Sequence, residues 1–208
     1  VSKVRLEQPR IRFRKATDVL NAHYHDKAAG RTEAVRPAGV LLGGLLWVDM
    51  TPNVDGDDAA WNAALEHARK SVVANFEELG RGLFAARFDK PVAGVPLLFP
   101  ETLVGLGLEG GPAVLLPNEH LLVVCGLNDE QALIEMGRYA DKLEDGEHKT
   151  LTKVPLTRDE HNKWTRLVAE RRFDSLRVFR DLRLQELVED YTNQKSALEA
   201  VAPNVTVG

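Results

Sequence analysis

The pattern of hydrophobic positions is clearest between Gly110 and Asp129. There Ala113-Val114-Leu115-Leu116-Pro117 and Leu121-Leu122-Val123-Val124-Cys125-Gly126 form two runs of strand length, each closed by Pro or Gly. Asp129 then opens a helical period with Ala132, Leu133, Met136 and Tyr139-Ala140 on one side, which predicts an N-cap and a helix to about Leu143. This stretch reads as the spine of an α/β core.

Before the spine, Arg10-Ile11-Arg12-Phe13-Arg14 alternates with period two, as a half-exposed strand does, with its arginines on one face. A short helix is expected from Ala16 to about Ala28, stopped by Gly30. Val40-Leu41-Leu42 and Leu45-Leu46-Trp47-Val48 flank Gly43-Gly44, and the second run reads as a buried strand ending at Asp49. The turn cluster 52–58 leads to a helix capped by Asp57 or Asp58 and running to about Leu79. Its apolar stripe is Trp61, Ala64, Leu65, Ala68, Val72, Val73, Phe76 and Leu79, and Gly80 and Gly82 end it. Segment 89–112 is rich in Pro and Gly around Val95-Pro96-Leu97-Leu98-Phe99, which predicts short irregular strands.

After the spine, Leu151 to Leu156 reads as a further strand. From Arg158 to Val201 there is no Pro and no Gly, so nothing local interrupts a helix. One long helix, or two meeting near Phe173-Asp174-Ser175, is expected. Leu176, Phe179, Leu182, Leu184, Leu187, Val188 and Tyr191 would share a face. The fold class predicted from these elements is α+β: a mixed, largely antiparallel sheet packed by three to five helices, the last of them long. Residues 1–208 are read as one domain, with a sub-division near 157 between a sheet-containing core (1–157) and a helical segment (158–208).

Composition changes this picture little. The 208 residues are 44% hydrophobic and 28% charged, with 27 Lys and Arg against 31 Asp and Glu for a net charge of −4. That balance suits a folded, soluble chain and does not by itself suggest a nucleic-acid partner. The lone Cys125 rules out an intramolecular disulfide. No apolar run approaches the roughly 20 residues of a membrane helix, so a cytoplasmic protein without a membrane partner is expected.

Candidate chemistry is sparse. Gly105-Leu106-Gly107-Leu108-Glu109-Gly110 matches the dinucleotide string G-x-G-x-x-G, but that chemistry needs the loop to open a helix, and Gly111-Pro112 leads into a strand-like run instead. His23-Tyr24-His25-Asp26 is the one local group of metal-capable side chains. On a helix, residues two apart point about 200° apart and cannot share an ion, while on a strand they could; the surrounding Ala, Asp, Asn and Lys favour helix. Asp49, Asn53, Asp55, Asp57 and Asp58 lack the glycine and terminal glutamate of a calcium loop in register. His120 and Cys125 differ by an odd number of positions, which on one strand places them on opposite faces, and an apolar setting makes the thiol inert. Asp159-Glu160-His161, with Trp164 beyond, suits either an acid/base group or the first turn of a helix. No cofactor, metal or catalytic residue is assigned.

The basic positions are a stronger candidate. Arg5, Arg10, Arg12, Arg14 and Lys15 load the first strand. Arg166, Arg171, Arg172, Arg177, Arg180 and Arg183 load the last third, so a joint cationic patch forms if the two meet. Glu170, Asp174, Asp181, Glu186, Glu189 and Asp190 interleave with the second set, as in helix-surface ion pairing. We take Arg10, Arg12, Arg14, Arg172, Arg177, Arg180 and Arg183 as the candidate interaction surface.

The order of features Leu46-Trp47-Val48-Asp49, a helix holding Ala68 to Asn75, Ala113–Pro117, Leu121–Gly126 and the closing helix Leu182–Leu198 resembles the YtpQ-like family of uncharacterised bacterial proteins. The resemblance implies an α+β fold and no established activity, and it supplies no catalytic residues. It also implies a further strand after the Gln-Lys helix. Val205-Thr206-Val207 would begin that strand, in which case the chain is a fragment of a longer protein. The functional expectation is a bacterial, non-enzymatic module that binds a protein partner. A nucleic-acid-binding protein using the arginines is the first alternative, and a hydrolase or metal-dependent enzyme the second.

Overall fold

A computed structural model of the chain describes residues 10–19, 21–22, 40–42, 46–51, 58–142, 150–169 and 173–201. The architecture is α+β, with two antiparallel sheets. A small sheet has the order β1-β3-β2, from β1 (Arg10–Lys15), β2 (Val40–Leu42) and β3 (Leu46–Thr51). A six-stranded sheet has the order β4-β5-β7-β6-β8-β9, from β4 (Phe76–Gly80), β5 (Leu83–Arg87), β6 (Pro112–Asn118), β7 (Leu121–Gly126), β8 (Leu156–Arg158) and β9 (Trp164–Arg166). The helices are α1 (Asp58–Ser71), the single turn α2 (Val95–Leu98), α3 (Glu130–Asp141) and the long α4 (Arg177–Val201). A helical stretch at 16–19 and 21–22 follows β1.

The spine behaves as its pattern dictates. β6 and β7 pair at the middle of the large sheet, and every residue of β7 is buried. Alternation sends Val114, Leu116, Leu122 and Val124 into one core with Ile11, Phe13, Leu46, Val48, Ala64 and Ala68. Ala113, Leu115, Leu121, Val123 and Cys125 point the other way, into a second core with α3 and the start of α4. Asp129 caps α3 as expected, its Oδ1 accepting from Ala132 N at 3.0 Å. Ala132, Leu133, Met136 and Ala140 face the sheet, and Tyr139 is half-buried. Gly137 allows α4 to approach closely, since a Cβ there would stand 2.6 Å from Val178 Cγ1.

Four expectations are overturned. The first helix with a secure stripe ends at Ser71 rather than Leu79. Phe76 to Gly80 is β4, and Val73 and Leu79 are exposed. The glycines read as a helix stop form a two-residue hairpin loop instead: Gly80 pairs with Leu83, and Arg81 and Gly82 sit at φ 46° and 74°. Two positive φ values in succession match the twist of a β-hairpin.

Segment 95–99 is helical, not extended. Pro96 occupies the first turn, where a missing N–H costs nothing, and a 3₁₀ stretch (Pro100–Leu106) follows. The strand expected at 151–156 begins only at Leu156. The long helical reading from Arg158 fails in its first half, because β8 and β9 form a hairpin there. Asp159 and Asn162 make that turn without glycine or proline. Asp159 Oδ1 accepts from His161 N (2.9 Å) and Lys163 N (2.8 Å), and Asn162 takes φ 64°. The helix expected to Ala28 is described only to residue 22.

Candidate functional site

α4 is where the fold leaves chemistry exposed. The apolar positions read as one face divide into two. Leu176, in the 3₁₀ turn before the helix, and Phe179 and Leu182 point inward and are almost fully buried. Leu184, Leu187, Val188 and Tyr191 point outward and are 46%, 44%, 65% and 49% exposed. Their spacing of three, four and seven residues makes a stripe of its own, about 10 Å long at 1.5 Å per residue. Arg177 and Arg180 are exposed. At about 100° per residue they fall within the same arc of roughly 100° as the stripe, whereas Asp181, Glu186, Glu189 and Asp190 fall outside it.

The inward side turns polar one step beyond Leu182. Glu186 is 7% exposed, and its Oε2 accepts from the Thr152 hydroxyl (3.0 Å) and from Lys153 N (3.0 Å). Lys15, on the buried face of β1 with Ile11 and Phe13, reaches Asp190 Oδ1 at 2.7 Å and Glu189 Oε2 at 3.9 Å. Asp190 also accepts from the Thr17 hydroxyl at 3.2 Å. Burial pushes the Glu186 carboxyl above its usual range, against the opposing pull of Lys15 and the two hydrogen bonds. For Lys15, burial lowers the pKa, but the bond to Asp190 and the charges of Glu186, Asp190 and Glu189 outweigh it and the net direction is up. A cavity of about 390 Å³ opens at this junction between Lys15, Asp18, 150–153 and the polar side of α4.

Glu186 and Lys15 were legible in part. Glu186 falls four residues after Leu182, on the same inward spacing, so a charge at a core-facing position was the available signal. Glu186 is buried, not the surface ion-pairing acid that the interleaved charges predict. Lys15 follows Phe13 by two residues and so shares the buried face of β1, apart from the arginines.

Five of the seven candidate interaction residues have side chains that are described. Arg177 and Arg180 are exposed on α4, while Arg183 is half-buried. Arg12 and Arg14 are half-buried on β1, and alternation sends them to the side away from Lys15. Of Arg10 only the backbone is described, and Arg5, Arg171 and Arg172 lie outside the described residues. Lys15 joins the end of β1 to the acids Glu189 and Asp190 of α4.

The remaining motifs take structural positions. Gly107 and Gly110 have positive φ in a turn that enters β6, so the glycine string opens no helix. Cys125 is fully buried, and burial, with the nearby Asp129 charge, pushes its thiol to about 12. His120 sits in the turn before β7, and its Nδ1 lies 2.9 Å from the Phe88 carbonyl oxygen. Asp159-Glu160-His161 is an exposed turn. Asp58 is exposed at the start of α1, and of Asp49 only the backbone is described. Asn53, Asp55, Asp57 and 23–26 lie outside the described residues. Among the described residues, no three His, Cys, Asp or Glu side chains group as metal ligands, and no helix is long and apolar enough to cross a membrane. No family model, curated protein or solved structure matches the chain.

Proposed function

We propose that the chain is a non-enzymatic interaction module whose outer α4 face docks an amphipathic helix bearing acidic residues from another protein. The observation that carries this reading is the outward stripe Leu184, Leu187, Val188 and Tyr191, on a helix already anchored by its opposite side. Apolar side chains at this spacing are the half-site of a helix-in-groove contact. Four of them together form a patch with a partner use rather than scattered surface apolarity. Charge complementarity selects the partner: Arg177 and Arg180 extend the stripe at its N-terminal end, and the acids of α4 fall outside the arc.

The test uses a labelled helical peptide with Leu at i, i+3, i+4 and i+7 and Glu at its flanks, titrated with the full chain by fluorescence anisotropy. A second peptide carries Lys flanks. Saturable binding of the first peptide, at least about tenfold tighter than the second, is expected, with loss in a Leu187→Asp/Val188→Asp variant. Equal binding of both peptides, no binding of either, or unchanged binding by the variant would contradict the proposal. Sedimentation showing that the chain dimerises through this face would do the same.

A further inference from the structure

A cavity of about 390 Å³ opens where the β4–β5 hairpin faces the last turns of α3. That volume lies within the range of roughly 300–1,000 Å³ found for small-ligand sites. Leu79, Arg81 and Leu83 line it from the hairpin, and Glu135, Arg138, Tyr139 and Lys142 from the helix and its C-cap. Ala132, Leu133, Met136 and Ala140 take the sheet side of α3. Steps of three, four and seven residues from Glu135 put Arg138, Tyr139 and Lys142 together on an adjoining face.

Two kinds of surface meet there. Leu79 is exposed, Leu83 is buried and Tyr139 is half-buried, and the three give the cavity an apolar lining. Arg81, Arg138 and Lys142 stand against Glu135 alone among the lining residues, three charges against one, an excess of two positive charges. Glu135 Oε1 accepts from Arg138 Nη1 at 2.6 Å, while Arg81 and Lys142 have no ion pair among the described residues. Glu78 on β4 is committed to the hairpin backbone, its Oε1 accepting from Gly82 N at 3.1 Å.

Cations in the last turn of α3 complement its dipole, which accounts for Arg138 and Lys142 as ordinary surface residues. It does not account for Arg81. That residue belongs to the other element and holds φ at 46° in the first position of the two-residue loop, where glycine or asparagine adopts the backbone with least strain. The fold keeps a guanidinium at the cavity against that strain, and backbone outliers of this kind gather at ligand sites.

We propose that this cavity binds a phosphate monoester carried on an apolar body. At neutral pH such a group has a charge of about −1.5 to −2, which matches the excess of two, and a carboxylate has only half of it. Arg81 and Arg138 offer forked N–H donors to the phosphate oxygens, one from each side of the cavity, and Lys142 adds a third charge. Leu79, Leu83 and Tyr139 cover the apolar body.

Calorimetric titration of the full chain at fixed ionic strength tests this, with phenyl phosphate, hexyl phosphate, inorganic phosphate and hexanoate as probes. Saturable one-to-one binding is expected for at least one of the two esters. It should be at least about tenfold tighter than for inorganic phosphate, which lacks the apolar body, or for hexanoate, which lacks half the charge. The tighter ester shows whether the apolar body is a ring or a chain. Arg81→Gly removes the guanidinium from a backbone position that glycine adopts freely, so the folded spectrum by circular dichroism should be kept while affinity falls about tenfold or more. Should that variant fail to fold, Lys142→Gln, at an exposed position, should still weaken binding severalfold. No saturable binding of either ester, equal affinity for inorganic phosphate or hexanoate, or undiminished affinity in the folded variant overturns the proposal.

Discussion

The β6–β7 hairpin and helix α4 are both rich in apolar residues, and the fold uses them in opposite ways. In the hairpin, both faces of the central strands are covered, so a continuous apolar run becomes a continuous buried run. In α4 one face is covered for only part of its length. Leu176, Phe179 and Leu182 reach the core, and Glu186 and Asp190 then take over the inward side as it passes the sheet and meets the end of β1. The outward stripe starts at Leu184, two residues after the buried Leu182. Apolarity therefore reports burial where the fold supplies a second layer, and a contact surface where it does not.

The comparison is sharpest between Phe179 and Leu187, eight residues apart on one helix. Phe179→Ala removes a ring that is 1% exposed and should cost about 3–5 kcal/mol in chemical denaturation. Leu187→Ala should change stability by no more than about 0.5 kcal/mol. A large loss at Leu187 would mean that the outward stripe is covered.

The α3–α4 contact is the next test of the buried half. Gly137→Ala places a Cβ against Val178 Cγ1, a stiff β-branched side chain on the facing helix. A loss of about 1–2 kcal/mol is expected after the helix-propensity gain is set against overpacking. Asp129→Ala, which removes the cap of α3, should cost about 1 kcal/mol by the same measurement.

The polar end of α4 is best read through pH. The folded pKa of Glu186 is raised above 4.5, so the native chain holds this proton more tightly than the unfolded chain. Its contribution is present at low pH and is lost as pH rises from 4.5 through the raised native value. Glu186→Gln should therefore gain stability relative to wild type as pH climbs through that window, and the gap should then level off. Lys15 is raised above 10.5, so its contribution is intact below that value and is lost as pH rises through the folded value. A Glu186→Gln difference that stays flat with pH would place that carboxyl in water.

The sequence exposed the spine almost completely. Asp129 was recognisable as a cap, and the runs 113–117 and 121–126 as strands, because local pattern and tertiary burial agree there. It failed where one pattern serves two structures. Val72, Val73, Phe76 and Leu79 fit a helical stripe, yet the chain unwinds after Ser71 because Arg81-Gly82 closes a hairpin. Asp159 and Asn162 turn the chain using side-chain bonds and positive φ, so the absence of Gly and Pro from 158 to 201 was no evidence for helix. The inward junction lay hidden for a different reason. Its members, Lys15, Thr152 and Glu186, are far apart in sequence and meet only through the crossing of α4, β1 and the approach to β8.

The account rests on α4 having one face for stability and another for a partner. Leu187→Asp/Val188→Asp, measured for thermal stability and for affinity to the Glu-flanked peptide in the same preparation, tests that division directly. A melting midpoint within about 2 °C of wild type, together with a loss of binding of at least about tenfold, is the predicted result. A variant that unfolds, or one that keeps its stability and its affinity together, would contradict it.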